Sequence, residues 1–388
     1  MPFLLSQLIE ACRWLGALVV LALHSTNLFV NLGDIMSAPH AAPVYVWWFF
    51  FALQFAHQAV VGFFVLSGYL VGGAVLKLLR GHRGDLRDYF IHRVSRIYMV
   101  LGPTLFLTLF FDQLGQRWFH DSGVYAWPIF DGHFSSKLFF ANLASLQSIF
   151  FDYFGTNGPL WSLACEFWYY ILFPLLLLPF ATRYAMSFRV IGFSIGAALC
   201  FAFVRQPGWF GFGFILWSMG AFATLAPRPV IRSRSLALTL YIFVLLLIRF
   251  LVRGPLLAEH PWMSDVADLS GATLFIGVLL AFRDGPHEGY ALLQSKMHKR
   301  LADFSFSLYA IHMPMLIFAR AAASGMMGET WVTQLAQPAN YLLALIVMAT
   351  IVLTALGFSR LTEAKTGAAR RFLHAALNRI APETRAAD

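Results

Sequence analysis

Charge is the scarcest property of this 388-residue chain. Only 12% of its residues are Asp, Glu, Lys or Arg, against 59% hydrophobic and 16% aromatic, with 40 Phe among them. A water-soluble domain of this length would leave too much apolar surface uncovered, so that class is excluded and a polytopic membrane protein is implied. Cysteine is also sparse: Cys12, Cys165 and Cys200 all lie in or beside apolar runs, which excludes a disulfide framework. No metal site is read. Acidic residues number 19 against 28 basic ones. In a soluble chain that excess would suggest nucleic acid; here the positions of the basic residues matter more, and no nucleic-acid partner is expected. No A-x-A-like cleavage site follows the first apolar run, which is therefore read as a retained helix. Internal repeats and low-complexity linkers are lacking too, so residues 1–366 read as one transmembrane domain, with 367–388 as a basic, amphipathic cytoplasmic tail lying on the inner leaflet.

What is present is a series of long apolar runs. Crossing about 30 Å of hydrocarbon takes roughly 20 helical residues. Runs of that order lie near 13–33, 46–76, 97–113, 160–180, 187–204, 209–226, 236–253, 268–283, 304–324 and 340–358. The expected fold is all-α and polytopic, with about ten transmembrane helices. An even number of crossings puts both termini on one side. Arg117, Lys137, Arg205, Arg249, Arg253 and Arg320 fall on the opposite side, leaving 22 of the 28 Lys and Arg with the termini. By the positive-inside rule that side is cytoplasmic. Residues 114–159 form a long outer connection, rich in aromatics and Asp, with an apolar piece at 138–151 that either lies in the interface or re-enters.

Several polar residues interrupt these runs. In "RWLGALVVLALH", Arg13 and His24 share one helix face about 16 Å apart, placing Arg13 at the cytoplasmic interface and His24 near the midplane. Arg13 as a snorkelling anchor and His24 as a packing residue remain the plain alternative. Glu166 of "LWSLACEFWYY" enters from outside to about 10 Å, His312 of "FSFSLYAIHMP" from inside to about 13 Å, and Ser67 of "FFVLSGYL" to about 15 Å. Four helices thus deliver polar groups to one central layer. An isolated carboxylate there costs several kcal/mol, so Glu166 is expected to be paired or protonated, and its depth matches that of His24. Gly68, Gly72 and Gly73 make a small-residue face suited to close helix approach or to a ligand opening. Asn157-Gly158-Pro159 reads as the turn into the fourth span. Arg93 and Arg96 share a face at the entrance to the third span, as topology anchors or as a bidentate phosphate grip.

With "RWLGALVVLALH", "FFVLSGYL", "RVSR", "LWSLACEFWYY" and "FSFSLYAIHMP" in this order, residues 10–360 resemble the acyltransferase family 3, integral-membrane enzymes that acylate carbohydrates and some small molecules. The resemblance implies a multi-pass protein of the bacterial inner membrane with a catalytic histidine at His24. It carries the motif arginine to Arg13, the paired arginines to Arg93 and Arg96, and the acidic position after "WSL" to Glu166. Glu166 stands with His24 as a catalytic candidate, and Ser67, Ser162, Tyr309 and His312 of the same motifs join the three arginines as substrate-binding candidates. Many members carry an acid shortly before "FFVLSG"; Val61 stands there in this chain. The hydrolase-like domain that some members carry after the last span is not expected here. The implied donor is acyl-CoA, most simply acetyl-CoA, acting as a substrate with no bound cofactor. The implied acceptor is a hydroxyl of a carbohydrate or glycolipid. Arginines suit the phosphates of coenzyme A, while His24 would either take the acyl group or deprotonate the acceptor, oriented by Glu166 or His312. Trp118, Tyr125, Trp127 and Phe130, with Asp121, Asp131 and His133, suit sugar rings on the outer side, or form an interfacial aromatic belt. A secondary transporter is the competing class, but paired broken helices and repeats are not found; a structural assembly subunit would not need the aligned Arg–His face.

Overall fold

A chain surrounded by hydrocarbon must satisfy its backbone N–H and C=O groups within each segment, and helices do so. The structure, a computed structural model, describes residues 1–30, 55–81, 85–206, 208–251, 260, 262–285, 289–328 and 338–380. Among the described residues the long elements are all helices, and the single β-type contact is a bridge between Gln147 and Phe151. They are α1 (Phe3–Phe29), α2 (Ala56–Leu79), α3 (Leu86–Trp118), α4 (Ser136–Leu143), α5 (Trp161–Leu177), α6 (Met186–Val204), α7 (Phe210–Ala223), α8 (Arg234–Leu251), α9 (Trp262–Asp284), α10 (Met297–Ala302), α11 (Ser305–Met327), α12 (Pro338–Leu361) and α13 (Thr366–Ile380). Eight segments are long and apolar enough to cross a membrane; α7 is apolar but shorter, with 14 residues. Each of the ten expected runs falls on a helix. The expected stretches 31–33, 46–54 and 252–253, and the end of the tail at 381–388, lie outside the described residues.

Boundaries differ where capping overrides hydropathy. Helix α3 starts at Leu86, where the Asp85 carboxylate accepts the Leu86 N–H at 2.7 Å, and runs for 33 residues. Arg93 and Arg96 therefore stand inside the helix rather than at its entrance. The apolar piece at 138–151 divides. Helix α4, capped by Ser135, ends at Leu143, and Asn142 then organises a folded return. Its Nδ2 donates to the carbonyls of Leu138 and Asp152 at 2.8 and 3.0 Å, and its Oδ1 accepts the Phe154 N–H at 2.9 Å.

Helix α1 is central. Ala17, Leu21 and Phe29 enter the main core with α2, α3, α5 and α11, while Leu4, Leu5, Leu8 and Ile9 enter a second core with α2, α7 and α9. Helix α6, in contrast, exposes Ile191, Ile195 and Phe201, as a lipid-facing helix would. Glycines bring α2 and α7 backbone to backbone. A Cβ on Gly68 would collide with the Trp217 carbonyl, one on Gly220 with the Val65 carbonyl, and one on Gly72 with the Ala221 side chain. Close helix approach thus accounts for the small-residue face. At this contact α2 widens into a π-helical turn over Gly68–Gly72, immediately after Ser67.

Candidate functional site

Seven of the nine residues selected from the sequence line one cavity of about 360 Å³: Arg13, Ser67, Arg93, Arg96, Ser162, Glu166 and Tyr309. They come from α1, α2, α3, α5 and α11, and Tyr170 joins them. Trp217 Nε1 donates to Ser67 Oγ at 3.0 Å, and Ser67 Oγ lies 3.1 Å from the Tyr170 hydroxyl. That hydroxyl donates in turn to the Glu166 carboxylate. Because a carboxylate only accepts, the chain of donors runs one way, from Trp217 through Ser67 and Tyr170 to Glu166. The Arg93 guanidinium lies over the rings of Tyr89 and Tyr170, 5.7 and 5.8 Å from their centroids. Arg13 and Arg96 are close enough to repel each other and share the charges of nearby carboxylates: Glu166 acts on Arg13, and Glu363, just beyond α12, on both. Glu10 of α1 acts on Arg13 as well, so three guanidinium groups gather here with three carboxylates in range of them.

His24 and His312 belong elsewhere. His24 lines a second cavity of about 580 Å³ with His57, Trp127, Ile129, Phe130, Tyr153, Pro159, Trp161, Tyr309 and Met313. The His312 ring lies against His24, centroids 5.3 Å apart. His312 is buried; its Nδ1 donates to the Tyr309 carbonyl at 2.7 Å, and its Nε2 has no hydrogen-bond partner among the described residues. Among those residues no carboxylate pairs with His24. The Glu166–His24 pair expected from matching depth is replaced by the Tyr170–Glu166 bond in the other cavity.

Two residues, Val60 and Tyr309, line both cavities. Tyr309 is held at the boundary: its hydroxyl donates to the Pro159 carbonyl at 3.0 Å and lies 2.7 Å from Ser162 Oγ. Pro159 belongs to the turn predicted from Asn157-Gly158-Pro159, which is pinned from below. Asp112 of α3 accepts Thr156 N–H at 3.0 Å and Thr156 Oγ1 at 2.8 Å, while Asn157 Nδ2 donates to Thr108 Oγ1 and the Ala310 carbonyl. Gly155 has φ +59°, and a Cβ there would meet the Asp112 carboxylate, so glycine fits both the backbone and the space.

Of the aromatic connection, Trp127 and Phe130 reach the second cavity, and the Arg320 guanidinium lies 5.7 Å from the Trp127 ring centroid. Tyr125 packs beneath, donating to the Phe111 carbonyl at 3.3 Å; burial, with Asp112 nearby, pushes its phenol up, so it stays a neutral donor. His133 stacks edge-on against Tyr153, whereas Trp118, Asp121 and Asp131 are exposed.

Tyr170, Asp112, His57 and Asp268 were missed by the sequence reading. His57 Nε2 lies 2.7 Å from the carboxylate of buried Asp268 on α9. Asp268 opens an apolar run, and a carboxylate at such a place is a functional suspect by position alone. That signal was available for Asp268; the tyrosines resemble ordinary core aromatics.

The family model described as "Acyltransferase domain" matches residues 7–359. A Haemophilus influenzae protein described as "Uncharacterized protein" is 27% identical over 124 residues, 30% of this chain and 47% of that protein. The chain thus spans about half the length of this curated relative. No solved structure matches.

Proposed function

This chain belongs to the acyltransferase family, and on that premise we propose that it transfers an acyl group, acetyl in the simplest case, from cytoplasmic acyl-CoA to a hydroxyl of a carbohydrate or glycolipid acceptor in the bacterial inner membrane. One observation carries this reading: a cavity ringed by Arg13, Arg93 and Arg96 adjoins, across Tyr309 and Val60, a cavity containing His24. Coenzyme A carries several phosphate charges at one end and a thioester at the end of a long, flexible arm. Guanidinium forks suit the phosphates, and the arm spans the step from the arginines towards His24. The second cavity, faced with Trp127, Phe130, Tyr153 and Trp161, offers the aromatic surfaces on which sugar rings stack. His24 meets the acyl carbonyl there. Comparing by mass the glycans and glycolipids of a deletion strain with those of its parent tests the reading. Loss of an acyl increment supports it; identical masses overturn it.

Arg93 and Arg96 act on the donor in this scheme. Lysine keeps the charge but loses the bidentate fork and the flat face over Tyr89 and Tyr170. For Arg93→Lys and Arg96→Lys we expect the KM for acetyl-CoA to rise roughly tenfold, the worth of one charge-assisted bond, with kcat little changed. Equal kinetics would return both residues to topology anchors.

Glu166 ends the donor chain and stands near Arg13, so it positions the site rather than touching His24. Gln accepts the same hydrogen bond from Tyr170. Turnover of Glu166→Gln is expected within about threefold of the parent, whereas Glu166→Ala, which orphans the Tyr170 hydroxyl, lowers folded yield. A far larger loss of kcat in the Gln variant would show that the charge itself is needed in the transition state.

A further inference from the structure

The second cavity holds a histidine that the scheme above leaves without a task. His57 projects from the first turn of α2 into the space that His24 also lines. Its Nε2 is 2.7 Å from Asp268 Oδ2, and Asp268 is only 3% exposed. An ionised carboxylate only accepts, so Nε2 carries the proton and Nδ1 keeps the lone pair. No described residue hydrogen-bonds to that Nδ1. The Trp209 ring stands edge-on to the imidazole, centroids 5.9 Å apart, and limits its tilt. His24 has none of this support: its ring neighbour is another imidazole, His312, and no described carboxylate pairs with it. A group that takes a proton during reaction becomes cationic, and an anion held beside it stabilises that form. His57 has such an anion.

We propose that His57, oriented by Asp268, is the general base that deprotonates the acceptor hydroxyl. This inference rests on the acyl-transfer reading. The hydroxyl proton passes to Nδ1 of His57 as the hydroxyl oxygen forms its bond to the acyl carbon. The bond from that carbon to the donor sulfur breaks, its electron pair leaving on sulfur. The proton on His57 then passes to the coenzyme A thiolate, so the base is restored and the products are an ester and a thiol. His24 stays neutral in this division of work and donates a hydrogen bond to the carbonyl oxygen as negative charge develops there. Asp268 is a positioning residue, fixing the tautomer and steadying the imidazolium.

The experiment uses the full chain in proteoliposomes with labelled acetyl-CoA as donor and a total glycan and glycolipid extract of the source cells as acceptor. Thiol release and alkali-labile label in the extract are measured together. His57→Gln is expected to lower kcat by at least about 100-fold, the lower range for a general base, with the KM for acetyl-CoA within about twofold of the parent. Asp268→Asn is expected to lower kcat by at least about tenfold at unchanged KM for the donor, with Asp268→Glu recovering part of the loss; a purely structural role would not separate kcat from KM in this way. His57→Gly should regain activity when imidazole is added to the medium. Should His57→Gln reduce folded yield, the His57→Gly rescue decides, and absence of rescue overturns the proposal. Parent activity matched within about threefold by His57→Gln overturns this inference alone. Absence of transfer by the parent chain overturns the acyl-transfer reading and this inference with it.

Discussion

Replacing His24 by alanine is expected to lower acyl transfer by about a thousandfold while the protein inserts and folds normally. The two halves of this expectation have different grounds. On the folding side, His24 is half-buried at a cavity wall and makes no hydrogen bond to a described residue, so its removal orphans no buried donor or acceptor. His312 loses one face of ring contact and keeps its bond to the Tyr309 carbonyl. On the chemical side, removing one preorganised donor to a developing oxyanion costs roughly 10²–10³ in kcat, and truncation also disturbs the neighbouring ring. Parent and variant are to be compared in the same proteoliposomes, with monodisperse yield and thiol release recorded separately. Wild-type turnover in His24→Ala would remove His24 from the chemistry. Low yield with unchanged turnover per folded molecule would return it to packing.

Gly68→Val carries the opposite signature: loss of the folded protein itself. A side chain at Gly68 meets the Trp217 carbonyl, and backbone on an adjacent helix cannot rotate out of the way as a side chain can. Helices α2 and α7 would have to separate, undoing the Gly72–Ala221 and Gly220–Val65 approaches as well as the Trp217–Ser67 bond. Overpacking of yielding sites costs about 1–3 kcal/mol, and this site has nothing to yield, so the cost is placed above about 3 kcal/mol. The measurement is monodisperse yield in detergent and the midpoint of thermal unfolding. Gly102→Ala is the control: that glycine lies within α3, and a Cβ there meets nothing within 4 Å. A Gly68→Val protein as stable as the control would mean that α2 and α7 are not held as described.

Hydropathy made the helices legible, and short motifs selected most of the cavity wall. Depth along a helix is also readable, because rise per residue is fixed. Azimuth is not. Rise per residue puts Glu166 and His24 at similar expected heights, yet Glu166 turns towards Tyr170 and the arginines, and His24 lines the cavity of His57 and the aromatic connection. Which way a helix face points depends on partners far away in the chain, such as Trp217 for Ser67 or Asp268 for His57. No spacing rule within one motif encodes those pairings. The same holds for Asp112, whose carboxylate secures the Thr156 turn from a different helix. Val61, where an acid is common in the family, is buried among apolar residues, and the side chain of this region that meets a carboxylate stands one turn earlier at His57.

The π-helical turn at Gly68–Gly72 gives α2 a property that side-chain chemistry alone does not. A π turn accommodates one more residue than an α turn, and each residue of an α-helix is worth about 100° of rotation. The two halves of α2 are therefore phased independently, with Ser67 and His57 set by one register and Gly73–Leu79 by the other. Losing a single residue inside the turn would swing one half past the other by about a quarter of a revolution or more, carrying His57 or the packing face out of place. Chain length between Ser67 and Gly73 is thus as much a determinant of the site as any residue in it, and insertions or deletions there act as rotations, not merely as changes in reach.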